Sequence, residues 1–183
     1  TSLFAVVYYK EKTQMYCMMY FDVEDFFSAP DAPVHQLPRQ FAEIMSKYGL
    51  TGSFHIIGEK VRFMERNNQK EVMDALREHD VCLHFDRGSI HPTTAEEVSH
   101  LDWFQGVDRV LFRELPGFQT LERVFGKCSG LTRHGHTFAP QIVYAAGKMG
   151  KPFFSSPFQL PGRNVVWFCN NLLIGPGEGG SFD

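Results

Sequence analysis

Two features that mark other protein classes are missing from this sequence. No apolar run approaches the roughly 20 residues that a membrane-spanning helix needs. No basic stripe is present and the formal net charge is −3, which argues against nucleic acid as a partner. The sequence therefore predicts a protein that acts on neither membranes nor nucleic acids.

Cysteine is scarce, and none of it stands at a metal-binding spacing. The four residues are widely separated and form no Cys-x-x-Cys pair: Cys17, Cys82, Cys128 and Cys169. Three of them lie in apolar, strand-like runs, which is typical of free buried thiols. This pattern argues against disulfides and against a cysteine zinc site, and it favours a reducing, cytoplasmic compartment.

Aromatic residues, by contrast, are abundant, with 18 Phe in a total aromatic content of 14%. In a chain of 183 residues, predicted as a single domain over 1–183, they fill a dense core or line a carbohydrate groove. The core interpretation is favoured. The chain starts at Thr1 instead of Met and ends in the glycine-rich segment 175–183, as expected of a processed chain or a fragment truncated at its C-terminal part.

Short apolar strands alternate with amphipathic helices from Met15 onward. Strands are predicted at 15–21, 53–57, 81–84, 130–133, 151–155 and 164–170. Helices are predicted at 38–48, 69–79 and 140–149, from Pro92 onward, and over 102–127 with a break at Pro116-Gly117. Such repeats give parallel strands with right-handed crossovers, in an open doubly wound sheet or a barrel. Periodicity does not choose between these two.

Polar residues cluster directly after three of the predicted strands, at the sheet edge where α/β proteins place their sites. The first cluster is acidic and comprises Asp22, Glu24 and Asp25. Carboxylates this close repel one another unless a cation or base chemistry holds them, although a solvated acidic loop would look the same. The second cluster contains His84 and His91, a ligand type that zinc prefers, or else core and capping histidines.

The third cluster is Arg133-His134-Gly135-His136. An arginine at this edge can pair with a carboxylate and keep it ionised. The glycine allows a ligand to approach the backbone closely, so His134, Gly135 and His136 are predicted to bind substrate. A surface loop with incidental histidines remains the alternative. His55, inside the second predicted strand, is interpreted as a structural strand residue.

Taken together, these segments resemble the NodB-homology polysaccharide deacetylases, also called carbohydrate esterase family four. The resemblance covers about residues 15–158 and rests on four stretches: Tyr20–Asp25, Tyr48–Phe54 leading to Ile57–Lys60, His84 to His91-Pro92, and Arg133–Gly135. It implies a distorted (β/α) barrel, here incomplete at the C-terminus. It also implies a divalent metal, usually zinc, and a carbohydrate or small amide substrate. Such barrels that lack a final strand use a neighbouring subunit, which leaves a homo-oligomer open.

The resemblance also implies roles for individual residues. Asp22 matches the catalytic base, His84 and His91 the two metal-binding histidines, and Arg133 the arginine that positions the base. The family's second Asp, a metal ligand, is replaced by Val23, so Glu24 or Asp25 must supply that ligand. The family's two histidines stand four residues apart, but here position 88 is glycine and His91 lies three residues further on.

Three hypotheses follow for the function. The first is metal-dependent hydrolysis of N-acetyl groups on a polysaccharide or related amide, with Asp22 taking a proton from a metal-bound water. The second is a metal-independent, allantoinase-like amidohydrolase of the same fold. The third is a non-catalytic carbohydrate-binding relative. The family's later motifs are not recognisable, so the general acid falls to His134 or His136.

Overall fold

The computed structural model describes residues 3–10, 14–88, 90–135, 137–154, 165–169, 171–174 and 181–182. Within them lie nine strands: β1 (Leu3–Lys10), β2 (Gln14–Val23), β3 (Ser53–Ile56), β4 (Asp80–Leu83), β5 (Leu131–Thr132), β6 (Phe153–Phe154), β7 (Val165–Phe168), β8 (Asn171–Ile174) and β9 (Ser181–Phe182). The α-helices are α1 (Leu37–Lys47), α2 (Gly58–Arg66), α3 (Lys70–Arg77), α4 (Thr94–Val98), α5 (Trp103–Phe125) and α6 (Pro140–Lys148). A short 3-10 helix, Pro33–Gln36, precedes α1.

All nine strands belong to one sheet with the order β7-β8-β6-β5-β4-β3-β2-β1-β9. Strands β2 to β6 are parallel neighbours in chain order. A doubly wound sheet reverses its strand order at a switch point, whereas a barrel winds in one direction. The single direction therefore fits the predicted (β/α) barrel type, with β7 and β9 as the edges of the described sheet.

The core lies between the parallel strands and the helices that cover them. Every residue of β3 is buried, as are three of four in β4, which is the burial expected of central parallel strands. Helices α5 and α6 contribute buried valines, leucines and isoleucines on one face. None of the described helices has the length and hydrophobicity that crossing a bilayer requires.

The predicted strands all appear, but two predictions about helices were wrong. Helix α5 runs unbroken through Pro116, and α2 begins at Gly58, where a strand-ending turn was expected. Both outcomes follow from close packing around Asp86. A Cβ on Gly58 would lie 2.3 Å from Asp86 Oδ1, and one on Gly117 would lie 2.8 Å from Leu83 Cδ1. Two helices thus meet the end of β4 at glycines, and tertiary packing outweighs local propensity.

Candidate metal and catalytic site

Five titratable side chains meet where the parallel strands end. Asp22 and Glu24 come from the end of β2, and His55 from β3, where it is the register partner of Asp22. His84 directly follows β4, and His134 lies two residues after β5. Because parallel strands end at one edge, side chains distant in sequence are brought together here.

The first group of potential ligands comprises Asp22, His55 and His84. Asp22 Oδ1 lies 3.3 Å from His55 Nδ1 and 3.9 Å from His84 Nε2. It is buried, yet it has no hydrogen-bond partner among the described residues. A buried carboxylate oxygen without a partner is costly, so this atom is a candidate ligand for a cation.

The second group comprises Glu24, His84 and His134. Glu24 Oε1 lies 3.0 Å from His84 Nε2 and 3.5 Å from His134 Nε2. Hydrogen bonds from His134 and His84 hold the pKa of Glu24 well below its usual range. Glu24 is therefore a carboxylate at neutral pH, the form in which a carboxyl group binds metal.

The hydrogen bonds of His84 determine which of its nitrogens faces the carboxylates. His84 Nδ1 lies 2.7 Å from Thr132 Oγ1, which in turn donates to the Leu83 carbonyl oxygen at 3.2 Å. Since the threonine proton is used on the carbonyl, His84 Nδ1–H donates to Thr132. His84 Nε2 then turns toward Glu24 and Asp22, and it needs either an extra proton or a cation between it and them.

The donor spacing fits a small divalent cation. Two ligands of a tetrahedral zinc, each at about 2.0–2.1 Å, lie roughly 3.3 Å apart. The observed separations of 3.0 and 3.5 Å in the second group bracket that value. Those in the first group, 3.3 and 3.9 Å, are slightly wider. Both groups share His84, and the second fits zinc better.

His134 reaches this site because position 88 carries no side chain. A Cβ on Gly88 would lie 2.8 Å from His134 Cγ, so the imidazole packs directly on the glycine backbone. Position 88 is four residues after His84. In the family that this sequence resembles, the second metal-binding histidine stands at that spacing. His134, from the neighbouring strand end, thus occupies the space beside that position.

Not every predicted residue belongs to the site. The prediction of His91 as a ligand is not supported by its placement, because its side chain is 74% exposed and Nδ1 bonds Glu96 in the capping box of α4. Asp25 instead caps its own loop, with Oδ1 accepting from the backbone N–H groups of Phe27 and Ser28. Arg133 makes no ion pair with Asp22, although both residues are described.

Of the other two residues predicted to bind substrate, Gly135 lies within the described part of the chain. Gly135 has a left-handed φ of 52° and open space around it, which suits close approach to the backbone. His136 lies outside the described residues.

His55 lies beside Asp22, although the sequence pattern predicts only a structural strand residue at this position. Its ring stacks on Tyr20 with centroids 4.8 Å apart, and burial lowers the pKa of the imidazole so that it is neutral at pH 7. The register of β2 and β3 is the signal that would have found it, because it pairs Asp22 with His55.

Comparison with known proteins agrees on the fold. The wild-type structure of BA3943 from Bacillus anthracis, described as a CE4 family pseudoenzyme, matches with a TM-score of 0.50 and 16% identity over 73% of this chain and 40% of that chain. A BA3943 mutant described as having restored enzymatic activity matches with a TM-score of 0.52 and 14% identity over 73% and 42%. No protein-family model and no curated protein matches the sequence.

These matches confirm the expected fold. The chain has the (β/α) fold of CE4 structures, the family with NodB homology that the motifs indicated. It spans about two fifths of the length of the two BA3943 chains.

Proposed function

We propose that this chain binds one zinc ion at the strand-end site and hydrolyses N-acetyl groups of a carbohydrate. The observation that carries the proposal is the convergence of Glu24 and Asp22 on His84 Nε2 while Nδ1 is held by Thr132. An arrangement of this kind places lone pairs and negative charge around one point. The choice of substrate follows the resemblance of the sequence motifs to carbohydrate esterase family four, and the chain shares the fold of CE4 structures.

In this proposal Glu24, His84 and His134 hold the ion. This ligand set contains neither His91 nor Asp25, which the sequence had offered as ligands. The chemistry that a zinc ion held by these residues would supply is polarisation of the amide carbonyl and a lowered pKa of the attacking water. Asp22 remains outside this ligand set and is the general base. Its Oδ1 is buried and faces His55 Nδ1 and His84 Nε2 without a well-formed hydrogen bond, so it is available to take the proton from the attacking water.

His55 positions Asp22 in this scheme, the role that the resemblance gave to Arg133. Its imidazole is buried beside Asp22 Oδ1 and stacked on Tyr20, which limits how far the carboxylate can turn. After water attacks the carbonyl carbon, the C–N bond breaks. The proton held on Asp22 then passes to the departing nitrogen, so the carboxylate is regenerated.

Zinc binding and acetate release test the two parts of the proposal separately. After reconstitution, the purified protein should hold about one zinc per chain, and His84→Ala and His134→Ala should each lower its affinity at least tenfold. His91→Ala is the matched control and should bind zinc like the wild type. Asp22→Asn should keep the metal but lose acetate release from chitin pentamer by at least a hundredfold. Equal losses of zinc affinity in His91→Ala and His134→Ala would contradict this ligand set.

A positional exchange gives a sharper test of His134. Gly88→His alone should perturb the site, because its Cβ would meet His134 Cγ at 2.8 Å. The double variant Gly88→His/His134→Ala removes that clash and places an imidazole four residues after His84. Zinc affinity higher in the double variant than in His134→Ala would support the assignment, and affinity unchanged or lower would count against it.

A non-catalytic carbohydrate-binding protein is the second candidate. Wild-type BA3943, which shares the fold, is described as a pseudoenzyme. Binding of chitin pentamer without acetate release, unaffected by Asp22→Asn, would favour this function. Acetate release that survives strong chelation would instead favour the metal-independent hydrolase.

A further inference from the structure

A second cavity shares no lining residue with the strand-end site. It is a groove of about 860 Å³ between α2, α5 and the segment that joins β4 to α4. That volume lies in the range of ligand pockets and would hold a few sugar rings. We call it the arginine groove, because five arginines line it: Arg62, Arg87, Arg109, Arg113 and Arg123.

The groove is positively charged on a chain that is negative as a whole. Its lining contains five guanidinium groups and two carboxylates, Asp86 and Glu97. Glu59 and Glu65, just outside the lining, pair with Arg62 and Arg123, so five cations against these four acids leave a formal surplus of +1. The whole chain carries −3. Such a local reversal of sign raises the concentration of anionic ligands near the groove.

The two carboxylates do not use all the arginine donors. Asp86 accepts a bidentate pair of hydrogen bonds from Arg62, at 2.8 and 3.0 Å. Glu97 accepts from Arg109 Nε at 2.6 Å and lies 2.7 Å from Arg113 Nη1. Both lining acids are therefore engaged, and three of the guanidinium groups are held in place by them.

Arg87 and Arg109 have donors to spare. Arg87 is 60% exposed, and its only described ion pair is a long one, 3.8 Å from Nε to Asp86 Oδ2. The side chain of Arg109 is 45% exposed, and only its Nε has a described hydrogen bond. Planar pairs of N–H groups of this kind bind carboxylate or sulfate groups in a bidentate manner.

An aromatic ring stands beside one of these donors, Arg109. Phe112 lines the groove with 75% of its surface exposed, and Arg109 Cζ lies 5.6 Å from its ring centroid. A flat, exposed ring next to guanidinium donors suits a ligand that has both an apolar face and an acidic group. Sugar rings that bear a carboxylate have both features, whereas an acidic peptide has no ring face to stack.

We propose that the arginine groove binds an acidic oligosaccharide of the uronic-acid type through Arg87, Arg109 and Phe112. The choice of a saccharide rests partly on the proposed function, whereas the requirement for an acid rests on the groove alone. Binding here would hold an acidic polymer to the protein at a place separate from the strand-end site.

Isothermal titration with a galacturonic acid tetramer tests the proposal. We expect binding that weakens at least tenfold in Arg87→Ala/Arg109→Ala, and that weakens as NaCl rises from 50 to 300 mM. Arg66→Ala is the matched control, because Arg66 is an exposed arginine of α2 that does not line the groove. A neutral xylose tetramer should bind at least tenfold more weakly. Equal binding of the neutral and acidic tetramers would overturn the proposal.

The variant Phe112→Ala distinguishes binding of an acidic saccharide from binding of an acidic peptide. It should weaken binding of the galacturonic acid tetramer severalfold and leave binding of hexaglutamate unchanged. Hexaglutamate that binds more tightly than the tetramer would overturn the saccharide assignment. His84→Ala should bind the tetramer like the wild type, so loss of zinc binding and loss of groove binding are distinguishable.

Discussion

Glu114 is a fully buried carboxyl group in α5. It accepts hydrogen bonds from Thr94 Oγ1 at 2.6 Å and from the Asp86 backbone N–H at 2.7 Å. Burial raises the pKa of Glu114 from 4.5 to about 7, because the charged form is poorly solvated there. A raised pKa means that the folded state favours the protonated acid. Its contribution to stability is complete below pH 4.5 and is lost as the pH rises through 7.

Replacing Glu114 by Gln should remove this pH dependence. Between pH 4.5 and 8 the wild type should lose about 3 kcal/mol of unfolding free energy relative to Glu114→Gln. Urea denaturation of both proteins at several pH values measures the difference. Glu78→Gln, at an exposed carboxylate, should track the wild type. Parallel curves for the wild type and Glu114→Gln would show that Glu114 does not titrate in this range.

Lys60 is buried with 1% of its surface exposed, and it borders a cavity of about 230 Å³ beside Glu24. Its Nζ lies 2.7 Å from His35 Nδ1. Burial lowers the pKa of the Lys60 ammonium to about 8, although the nearby Asp25 carboxylate opposes the shift. The folded state therefore disfavours the proton, and stability should increase as the pH rises from 8 to about 10.4.

A comparison with Lys60→Met isolates that effect. Over pH 8 to 10.4 the wild type should gain about 3 kcal/mol relative to the variant. Thermal or urea unfolding across this range provides the measurement, with the exposed Lys47→Met as a control. If the difference between wild type and Lys60→Met stays constant with pH, Lys60 is not the titrating group.

At the residue scale, the sequence predicts which side chains stand at strand ends, but it does not predict the register that pairs them across strands. Asp22, Glu24 and His84 were predicted because each follows an apolar run. The proline after His91 favours His91 as a ligand and His134 is predicted to bind substrate, yet the His91 imidazole is hydrogen-bonded to Glu96. His134 reaches Glu24 only because Gly88 leaves room, a relation between two strand ends that no local pattern reveals.

At the scale of elements, α5 provides two glycines in contrasting surroundings. A Cβ at Gly117 would meet Leu83 Cδ1 at 2.8 Å and Asp86 Oδ1 at 3.0 Å, and both of those residues are buried. At Gly106 the nearest contact is Gln141 Cγ, at 3.1 Å on a flexible side chain. The same helix therefore has one position where it must approach β4 closely and one where it need not.

Alanine at these two positions should have different effects on stability. Gly117→Ala should destabilise the protein by about 1–3 kcal/mol, because overpacking outweighs the gain in helix propensity. Gly106→Ala should be neutral or stabilise by up to about 1 kcal/mol. Urea unfolding measures both. A stabilising Gly117→Ala would mean that α5 can move away from the end of β4 without penalty.

The packing at Gly117 also explains which elements could be predicted. Periodicity located the strands and most helices, because burial on one face leaves a repeating pattern. It predicted a break at Pro116 and no helix at Gly58, since local rules give those residues breaking roles. The start of α2 is held from outside the segment, because the N–H groups of Gly58 and Glu59 donate to the carbonyl oxygens of Phe85 and Asp86 at 3.1 and 2.9 Å. Helix α5 approaches the same strand end closely at Gly117.

For the whole molecule, zinc should act as a stabilising ligand. A ligand that binds only the folded state stabilises it by about 2.7 kcal/mol at one hundred times its Kd, or roughly 5–10 °C in Tm for a chain of this size. The wild type and His91→Ala should show this shift in a thermal scan, and His84→Ala should not. Equal shifts in all three proteins would place the zinc elsewhere.

The arrangement of the whole sheet could be predicted only in part. Alternation of strands and helices indicated an α/β fold, but it was equally consistent with a doubly wound sheet. The order from β2 to β6 distinguishes the two, and strand order is a property of long-range pairing. The place of β1 in the sheet also depends on strand pairing, because β1 pairs antiparallel with both β2 and β9.

The shared imidazole of His84 sets a limit on stoichiometry. Its Nε2 has a single lone pair, so the two potential ligand groups cannot each hold an ion through it at the same time. Titration with zinc should therefore saturate at one equivalent for this site, however high the concentration. With that ion held by Glu24, the Asp22 carboxylate is left unbound and is the one free to accept a proton.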